Sequence, residues 1–437
     1  MENNRCISIK RRRPSPNNEI IFKENRNMKK NLDIIDPIHD FIRVNDHELS
    51  IIDNPIFQRL RRIRQLSGAH LTYPSAQHTR FEHSLGVMHI AGLAGNALLE
   101  KGYLNSDDIG ILRLCGLLHD IGHGPFSHLF EEIIQEKKLS HEDFGRKIIL
   151  QSEIGDILSK NGYSKNLIAN IAFGTSKHQF LNEIISGALS ADMMDYLLRD
   201  GYFTGAEHAK IDHKRITQSL DIHKNKLALE RSALYSFESM MHSRYQMFKA
   251  VYFHKTVRSA EVMLLEALRS SDQYFGFTKF NIDEFLKLTD EHVLSSLISS
   301  TNPQLKRARK FATDYQNRDL LKCVYESIIT NPKNLNKIKT KELKKLISKK
   351  SKINADEIFV DSSVTPSIPL APSKNESKSI ILITSEDSKL SAKVMPISEI
   401  PVVSAISGFM NILRIYTTRK NRKKVEIAAK SIISELK

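Results

Sequence analysis

The sequence lacks any apolar run that approaches the roughly 20 residues needed to span a bilayer. Its N-terminus is basic and polar and carries no apolar signal segment. These absences predict a soluble protein of the cytoplasm with no membrane partner. In a eukaryote a nuclear location is the alternative, because Arg11, Arg12 and Arg13 resemble a nuclear address. With 437 residues, 41% of them hydrophobic, the chain can bury a large core, and its length indicates two or three domains.

Cysteine is scarce, and no two cysteines have the CxxC spacing. Cys6, Cys115 and Cys323 lie far apart in the sequence, which argues against a disulfide framework and against a thiolate zinc site. We therefore expect any metal to be held by histidine and carboxylate side chains. Repeats at solenoid periods are also absent from the sequence.

Acidic residues are too few to balance the basic ones, since 50 Asp and Glu face 65 Lys and Arg, for a formal net charge of +15. A basic surface attracts the phosphate groups of nucleotides, nucleic acid or lipid headgroups, without indicating which. The excess lies mainly in residues 1–30 and 333–352. Most such runs are solvated faces or disordered arms, so contact with single-stranded nucleic acid is the minority interpretation.

Periodicity along the chain predicts a mainly α protein with a small α+β part at its C-terminal end. Two short strands, at 32–35 and 41–44, precede a helix that begins with Asn54 or Asp53 as cap and Pro55 at its first position. Helical periodicity then continues to about residue 330. Farther on, IFVDS, SIILITS and LRIYT resemble strands, and the last 16 or so residues place apolar side chains on one helical face.

These patterns divide the chain into four parts. They are a disordered basic tail (1–30), a helical core (31–332), a lysine-rich linker or helix (333–352) and a small α+β lobe (353–437).

Three predicted helices each place a chemically reactive side chain on an apolar face. His83, His119 and Asp192 share their faces with core-type residues, and Asp120 follows His119 directly. A polar group that faces a core must be hydrogen-bonded, neutralised or coordinated. Each residue alone is more often a satisfied core residue. The combination favours a metal site, because the His-Asp pair runs into a Gly-His-Gly-Pro break. Imidazole with carboxylate suits Fe, Mn, Zn, Ni or Co, and the sequence does not identify the metal.

Further histidines follow this pair and are candidates for general acid and base work. They are His123, His128 and His141, with Glu131 one turn from His128, and structural hydrogen bonding is the alternative for each. Ser127 or Ser140 as a helix cap would place the next histidine at the mouth of a cleft.

Basic and acidic neighbours of the candidate ligands complete the pattern. Arg80, three residues before His83, is placed to clamp an anionic group. Arg199 is expected to pair with Asp195, four residues earlier on the same helix. A metal, histidines and arginine together indicate hydrolysis of phosphate esters or anhydrides.

Three other His-plus-acid doublets lie among turn or polar residues, and we expect them at the solvated surface. They are His39 with Asp40, Asp46 with His47, and Asp212 with His213.

The order H…HD…D at these separations resembles the HD-domain metal-dependent phosphohydrolases. The segments FQRLRRIRQL, HTRFEHSLGVMHIAG, LLHDIGHGPFSHLFEE, DMMDYLLRD and YFHK are similar to the deoxynucleoside triphosphate triphosphohydrolase branch. One vertebrate member of that branch joins a sterile alpha motif domain to the HD domain. The resemblance extends through NRDLLKCVYE and LRIYTTRKNRKKVEIAAK, from about Asn31 to the end, without the sterile alpha motif domain. It implies an HD-domain helical core with a small α+β C-terminal lobe.

The resemblance also implies residue roles and a reaction. Water would convert a dNTP into a deoxynucleoside and inorganic triphosphate, with one divalent transition metal in the protein and Mg²⁺ accompanying the nucleotide. The implied metal ligands are His83, His119, Asp120 and Asp192. The implied reaction centre is His123, His128, Glu131 and His141, in which His128 and His141 handle proton transfer around the α-phosphorus. Arg80 and Arg244 would hold the triphosphate, and Gln65, Leu66, Tyr196, Asp200 and Tyr252 would surround the deoxyribose.

Two positions depart from the pattern of this branch. Met193 stands where the branch has a phosphate-contacting lysine, and Phe248 replaces a histidine. A monophosphate, a diphosphate, another phosphate ester or an altered binding mode is therefore the alternative to a triphosphate. A nucleic-acid-binding protein with a residual HD site is the further alternative.

The resemblance includes a regulatory nucleotide site. Asp53, Arg59, Arg318 and Lys322 match nucleotide-contacting positions, while Leu32 stands where the branch has a lysine. We expect a homodimer formed through the helical core. An activating nucleotide that drives a homotetramer is the alternative.

Overall fold

The computed structural model of the protein describes residues 32–277, 281–328, 340–362, 379–386, 389–400 and 412–436. The predicted tail at 1–30 and the proline-rich stretch at 364–373 lie outside these ranges. Within them, no helix is both long enough and apolar enough to cross a membrane.

Helices make up most of the described chain, as the sequence predicted. They are α1 (Asp46–Ile52), α2 (Pro55–Gln58), α3 (Arg80–Glu100), α4 (Ser106–Leu118), α5 (His128–Ile134), α6 (His141–Gln151), α7 (Glu153–Lys160), α8 (Lys165–Ala172), α9 (Gln179–Ile185), α10 (Ala191–Thr204), α11 (His213–Gln218), α12 (Leu234–Met247), α13 (Lys255–Phe275), α14 (Ile282–Leu286), α15 (Asp290–Ser299), α16 (Lys306–Gln316), α17 (Thr340–Ser351) and α18 (Arg422–Leu436).

The strands form three small sheets. They are β1 (Leu32–Asp36), β2 (Asp40–Val44), β3 (Leu220–His223), β4 (Lys226–Glu230), β5 (Lys322–Ile328), β6 (Ile358–Ser362), β7 (Ser379–Glu386), β8 (Lys389–Pro396) and β9 (Ile412–Thr417). The mainly α fold with a small α+β part is thereby confirmed.

Side-chain caps explain where the helices of the core begin. Thr79 and Glu82 form a reciprocal capping box before α3, and Asn105 and Asp108 do the same before α4. Asn54 caps α2 with Pro55 at its first position, as predicted.

Two glycines allow the helices of the core to approach closely. A Cβ on Gly86 of α3 would lie 1.8 Å from Oδ1 of Asp195 on α10, and a Cβ on Gly116 of α4 would lie 2.9 Å from the carbonyl oxygen of Val87. Real Cβ atoms do not make such contacts, so only glycine permits this spacing. Since α3, α4 and α10 carry the predicted ligands, the two glycines bring the ligands together.

Two of the sheets contain strands from distant parts of the chain. In the order β3-β4-β7-β8, β4 and β7 are parallel, with Leu229 opposite Leu382. In the order β5-β9-β6, both outer strands run antiparallel to β9. Strands from before residue 332 thus pair with strands from after residue 353 in both sheets, and the predicted domain boundaries stay a prediction.

The lysine-rich helix α17 packs on the lobe through its apolar side. Leu343 and Ile347 are buried in a cluster with Ile415 and Val425, whereas Lys345 and Lys349 are exposed. Within the described part of this run, the lysines lie on the solvated face of an amphipathic helix.

An ion cluster joins the lobe to the helical core. Arg258 on α13 donates two hydrogen bonds to Asp361 of β6, at 2.8 and 3.1 Å, and one to Glu261 at 2.6 Å. The carboxylates of both partners are mostly removed from solvent. The hydroxyl of Tyr416 adds a bond of 2.9 Å to the carbonyl oxygen of Lys255.

We expect Arg258→Met to lower the free energy of unfolding by about 2–4 kcal/mol, because it leaves two shielded carboxylates without their cation. Urea unfolding followed by circular dichroism measures this. The double variant Arg258→Met/Asp361→Asn should recover part of the loss. Arg307→Met is the matched control, since its ion pair with Glu266 is more exposed, and it should cost less than about 1 kcal/mol. Equal losses in the two single variants would contradict the assignment.

Candidate metal centre and active site

The four predicted ligands come together at one point, where His83, His119 and Asp120 are buried and the Asp192 side chain is 32% exposed. His83 lies in the first turn of α3, His119 caps the C-terminal end of α4, and Asp192 lies in the first turn of α10. His83 Nε2 is 3.1 Å from Asp192 Oδ1 and 3.5 Å from Asp120 Oδ2. His119 Nε2 is 3.4 Å from Asp120 Oδ1 and 3.8 Å from Asp192 Oδ1. The donor atoms of His83, His119 and Asp120 all lie within 4.8 Å of one another.

The hydrogen bonds of the two imidazoles fit a metal ion at this point. His119 Nδ1 donates to the carbonyl oxygen of Gly116 at 2.7 Å, and His83 Nδ1 donates to Asp195 Oδ2 at 2.8 Å. The tautomer that satisfies these bonds leaves the lone pair of each Nε2 directed into the cluster. Nε2 of His119 is buried and has no hydrogen-bond partner among the described residues. The cluster could therefore hold one divalent transition metal.

The charges of the cluster also call for a cation. Burial alone would lower the pKa of His83, but hydrogen bonds to Asp192 and Asp195 and the charge of Asp120 raise it to about 10. The carboxylates around His83 therefore stabilise positive charge at this point, whether it comes from a proton or from a metal ion.

A second layer of residues supports the ligands. Asp195 accepts hydrogen bonds from His39 Nε2 at 2.7 Å and from Arg199 Nε at 2.9 Å, in addition to the bond from His83. Arg199 Nη1 donates onward to Asp36 at the end of β1, at 2.8 Å. The predicted pair of Asp195 with Arg199 is present, and both residues are fully buried.

The surface prediction was wrong for His39 and correct for the acids of the three doublets. His39 is 8% exposed because its ring is bonded to Asp195. Asp40, Asp46 and Asp212 are exposed, while His47 and His213 are half-buried. Asp195 was missed as a supporting residue, although its position three residues after Asp192 places both on the same face of α10.

The predicted acid and base residues form a row beside the cluster. His123 Nε2 lies 3.2 Å from Asp120 Oδ1, and the rings of His123 and His141 stack at 4.0 Å. Glu131 accepts from His141 Nδ1 at 2.8 Å and contacts His128 Nδ1 at 3.4 Å. His123 is buried, whereas the His128 side chain is 74% exposed. Asp120, His123 and His141 form a second group whose donor atoms lie within 4.8 Å of one another.

Burial and the neighbouring charges shift the pKa values of the two stacked imidazoles, His123 and His141, in opposite directions. Burial alone would lower the pKa of His141, but Glu131 raises it above the ordinary histidine value. Burial and the Arg80 guanidinium hold the pKa of His123 well below that value. The row therefore contains one imidazole that favours its protonated form and one that favours its neutral form.

The sequence predicted a serine cap before His128 or His141, and the structure has one before His141. The Ser140 side chain accepts a hydrogen bond from Asp143 N, and His141 begins α6 directly after it. Ser127 precedes His128, but its side chain makes no capping bond within the described residues. Its hydroxyl donates instead to the carbonyl oxygen of Arg64 at 2.8 Å.

The sugar-pocket candidates also come together. Tyr252, in a π-helical turn (Phe248–Tyr252), donates to Asp200 Oδ2 at 2.6 Å. His78 contacts the other oxygen of Asp200 at 2.7 Å and stacks on Phe203. The sequence prediction missed His78, which lies inside the quoted HTRFEH segment.

The remaining sugar-pocket candidates are Tyr196, Gln65 and Leu66. Burial raises the pKa of Tyr252 well above its ordinary value, Asp200 and Tyr196 raise it further, and Arg244 lowers it. Gln65 N donates to the carbonyl oxygen of His78 at 3.1 Å, and Gln65 and Leu66 are half-buried.

Arg80 and Arg244, the predicted phosphate ligands, have different surroundings. Arg80 is buried, with Nη1 donating to Asp120 and Nε donating to the Ser127 hydroxyl at 2.8 Å. Arg244 Nη1 donates to the sulfur of Met193 at 3.6 Å, and its guanidinium lies 5.9 Å from the Phe248 ring. Both departures from the family pattern therefore contact the same arginine.

The regulatory candidates fall into separate places. Arg318 and Lys322 line a pocket of about 310 Å³ with Lys255 and Arg422. Arg59 is buried and donates to the carbonyl oxygen of His123 at 2.7 and 2.9 Å. Asp53 is exposed. The regulatory site and the oligomeric state stay predictions.

The chain matches two family models and is similar to several known proteins. The model of the HD domain matches residues 80–200, and the model of the HD associated region matches residues 211–435. An uncharacterized protein of Bacillus subtilis is 36% identical over 282 residues, which are 59% of this chain and 64% of that protein. The deoxynucleoside triphosphate triphosphohydrolase SAMHD1 homolog of Dictyostelium discoideum is 31% identical over 69% of this chain and 61% of its own length. The chain thus spans less than two thirds of either relative.

A solved structure resembles almost the whole chain. The crystal structure of a hypothetical protein from Aquifex aeolicus has a TM-score of 0.73 and 31% identity, and the match covers 91% of this chain and 99% of that one.

We expect Asp195→Asn to weaken divalent metal binding by about 10–100-fold, because the variant loses the carboxylate that orients His83 without losing a ligand. Calorimetric titration of Mn²⁺ into metal-free protein measures the change. Asp108→Asn is the matched control, since Asp108 is also a buried carboxylate but caps the end of α4 remote from His119. An affinity equal to that of the wild type would argue against the support role of Asp195.

Proposed function

The chain belongs to the HD-domain family, and from this we propose that it is a metal-dependent nucleotide phosphohydrolase whose substrates are dNTPs. The products would be a deoxynucleoside and inorganic triphosphate. The observation that carries the proposal is the cluster of His83, His119, Asp120 and Asp192 beside His128 and His141, which both contact Glu131.

The cluster and the row divide the chemistry between them. When bound, a divalent metal supplies Lewis-acid stabilisation of negative charge on a phosphoryl oxygen. Arg80 holds Asp120 in place through its guanidinium and adds positive charge beside the cluster. The protein thus prepares a site for charge that develops on phosphorus oxygens.

Proton transfer is assigned to the imidazoles that Glu131 orients. Because His141 donates its Nδ1 proton to Glu131, its Nε2 is the atom that gives or takes a proton near the substrate. Glu131 also contacts His128 Nδ1, and the exposure of His128 allows proton exchange with water. One carboxylate therefore orients both histidines.

The proposed preference for deoxyribose rests on a fixed wall of side chains. The carboxylate of Asp200 is held on both oxygens, by Tyr252 and by His78, so neither Asp200 nor the tyrosine hydroxyl reorients easily. A rigid wall at this point would exclude a 2′-hydroxyl on steric grounds and reward the correct sugar.

A second candidate is a phosphohydrolase that acts on another nucleotide or phosphate ester. It is favoured by the surroundings of Arg244, which contacts the buried thioether of Met193 and the ring of Phe248. Neither side chain supplies a positive charge for a polyphosphate. A substrate with fewer phosphates would therefore fit these surroundings better.

We expect purified protein with Mn²⁺ or Fe²⁺ to release inorganic triphosphate from dNTPs, and Asp120→Ala to reduce the rate by at least about 100-fold because a ligand is lost. Ion chromatography of the products measures both. Asp46→Ala is the matched control, since Asp46 is an exposed acid next to a histidine, and it should keep the wild-type rate. The proposal fails if no dNTP is hydrolysed with or without added activating nucleotides.

Met193→Lys separates the two candidates. A lysine beside Arg244 adds a charge-assisted bond, so kcat/KM for a triphosphate relative to a monophosphate should rise by on the order of 10-fold. Met193→Leu keeps the apolar contact and should leave the ratio unchanged. Steady-state kinetics on deoxynucleoside mono-, di- and triphosphates measures the ratio. A ratio that already favours triphosphates strongly and does not respond to the lysine would reject the second candidate.

A further inference from the structure

The turn between α4 and α5 has an unfavourable backbone conformation. It carries His123 and His128, and between them Phe126 and Ser127 have φ of 59° and 53°. Consecutive non-glycine residues with positive φ are rare, because this backbone conformation is sterically unfavourable for residues that carry a side chain. Something must therefore hold this turn in place.

Hydrogen bonds with residues 59–67 hold part of the turn. The Ser67 hydroxyl donates to the carbonyl oxygen of Phe126 at 2.7 Å. The Ser127 hydroxyl donates to the carbonyl oxygen of Arg64, and Arg59 donates twice to that of His123. These bonds satisfy carbonyl oxygens and leave the backbone N–H groups to be accounted for.

Asp290 accepts hydrogen bonds from one N–H group of the turn and from one N–H group of residues 59–67. Its Oδ1 accepts from Phe126 N at 2.7 Å, and its Oδ2 accepts from Arg64 N at 3.0 Å. The residue is fully buried at the first position of α15, after the capping residue Thr289, where the helix dipole favours a carboxylate. Burial raises the pKa of Asp290 to about 6, so at neutral pH both oxygens are acceptors.

One carboxylate therefore connects two functional segments that the sequence separates widely. Phe126 belongs to the turn with the acid and base histidines, and Arg64 directly precedes Gln65 and Leu66 of the sugar pocket. Loss of the carboxylate would leave the N–H groups of Phe126 and Arg64 without acceptors, and the positive-φ turn would lose one of its restraints.

We propose that Asp290 is a positioning residue that fixes the histidine turn and the sugar-pocket segment relative to each other. The proposal rests on the proposed function for its catalytic consequence, but the restraint on the backbone does not depend on the substrate. Asp290 would act on proton transfer and on sugar discrimination together, without contacting the substrate.

The test compares Asp290→Asn with Glu48→Gln. Asparagine keeps one acceptor oxygen and presents an amide donor to the second N–H group. Glu48 is an equally buried carboxylate that pairs with Arg113 and accepts from Asn45 N, so Glu48→Gln reports the general cost of altering such a group. Ser67→Ala, which removes one milder restraint on Phe126, serves if Asp290→Asn does not fold.

Hydrogen exchange by mass spectrometry gives the readout that is independent of activity. In Asp290→Asn, peptides covering residues 63–67 and 123–128 should both exchange at least tenfold faster, while peptides of α3 remain as in the wild type. Ser67→Ala should show a smaller increase in the same two peptides. Glu48→Gln should change neither. Unchanged exchange in both peptides would overturn the proposal.

Kinetics on the metal-loaded protein gives the second readout. In Asp290→Asn, kcat should fall at least tenfold at unchanged metal content, and the ratio of kcat/KM for dNTP over rNTP should fall as well. A loss no larger than that of Glu48→Gln, with the ratio preserved, would show a purely structural role. If the wild type hydrolyses no nucleotide, the proposed function fails, and hydrogen exchange alone decides whether Asp290 restrains the two segments.

Discussion

The close approach of α3 to α4 and α10 is the constraint on which the site depends. The candidate ligands come from the ends of these helices, and imidazole and carboxylate side chains are too short to meet unless the backbones approach closely. Gly86 and Gly116 make this possible, because any side chain there would overlap Asp195 or the backbone of α3. The positions of His83, His119 and Asp192 therefore follow from packing that involves no ligand.

Buried charge extends this constraint from the helices to the N-terminal hairpin. Asp195 is shared by His83, His39 and Arg199, and the guanidinium passes the connection to Asp36 at the end of β1. Each partner satisfies a charge that would otherwise be costly to bury, so loss of one residue of this network would destabilise the others. The hairpin thus helps to orient a ligand that lies on a different element.

Local sequence patterns were sufficient for features that depend on neighbours in the chain. They predicted the helix start at Pro55, the pair of Asp195 with Arg199 and the apolar faces that carry His83, His119 and Asp192. Residues whose partners are distant were not predictable in this way. His39, His78 and Asp290 bond to groups 122 to 226 residues away, and periodicity indicates a buried face without identifying the residues opposite it. The sequence pattern likewise places β7 in the lobe, because it does not identify the distant strand β4 with which β7 pairs.

That parallel pairing has a consequence for how the protein is made. The sheet that borders the helical core stays a two-stranded hairpin of β3 and β4 until the segment around Leu382 has been synthesised. Contacts of such long sequence separation form late, since the intervening chain must first be closed into a loop. Until then the edge of β4 that later pairs with β7 is unpaired, and an unpaired strand edge is a template for incorrect strand pairing.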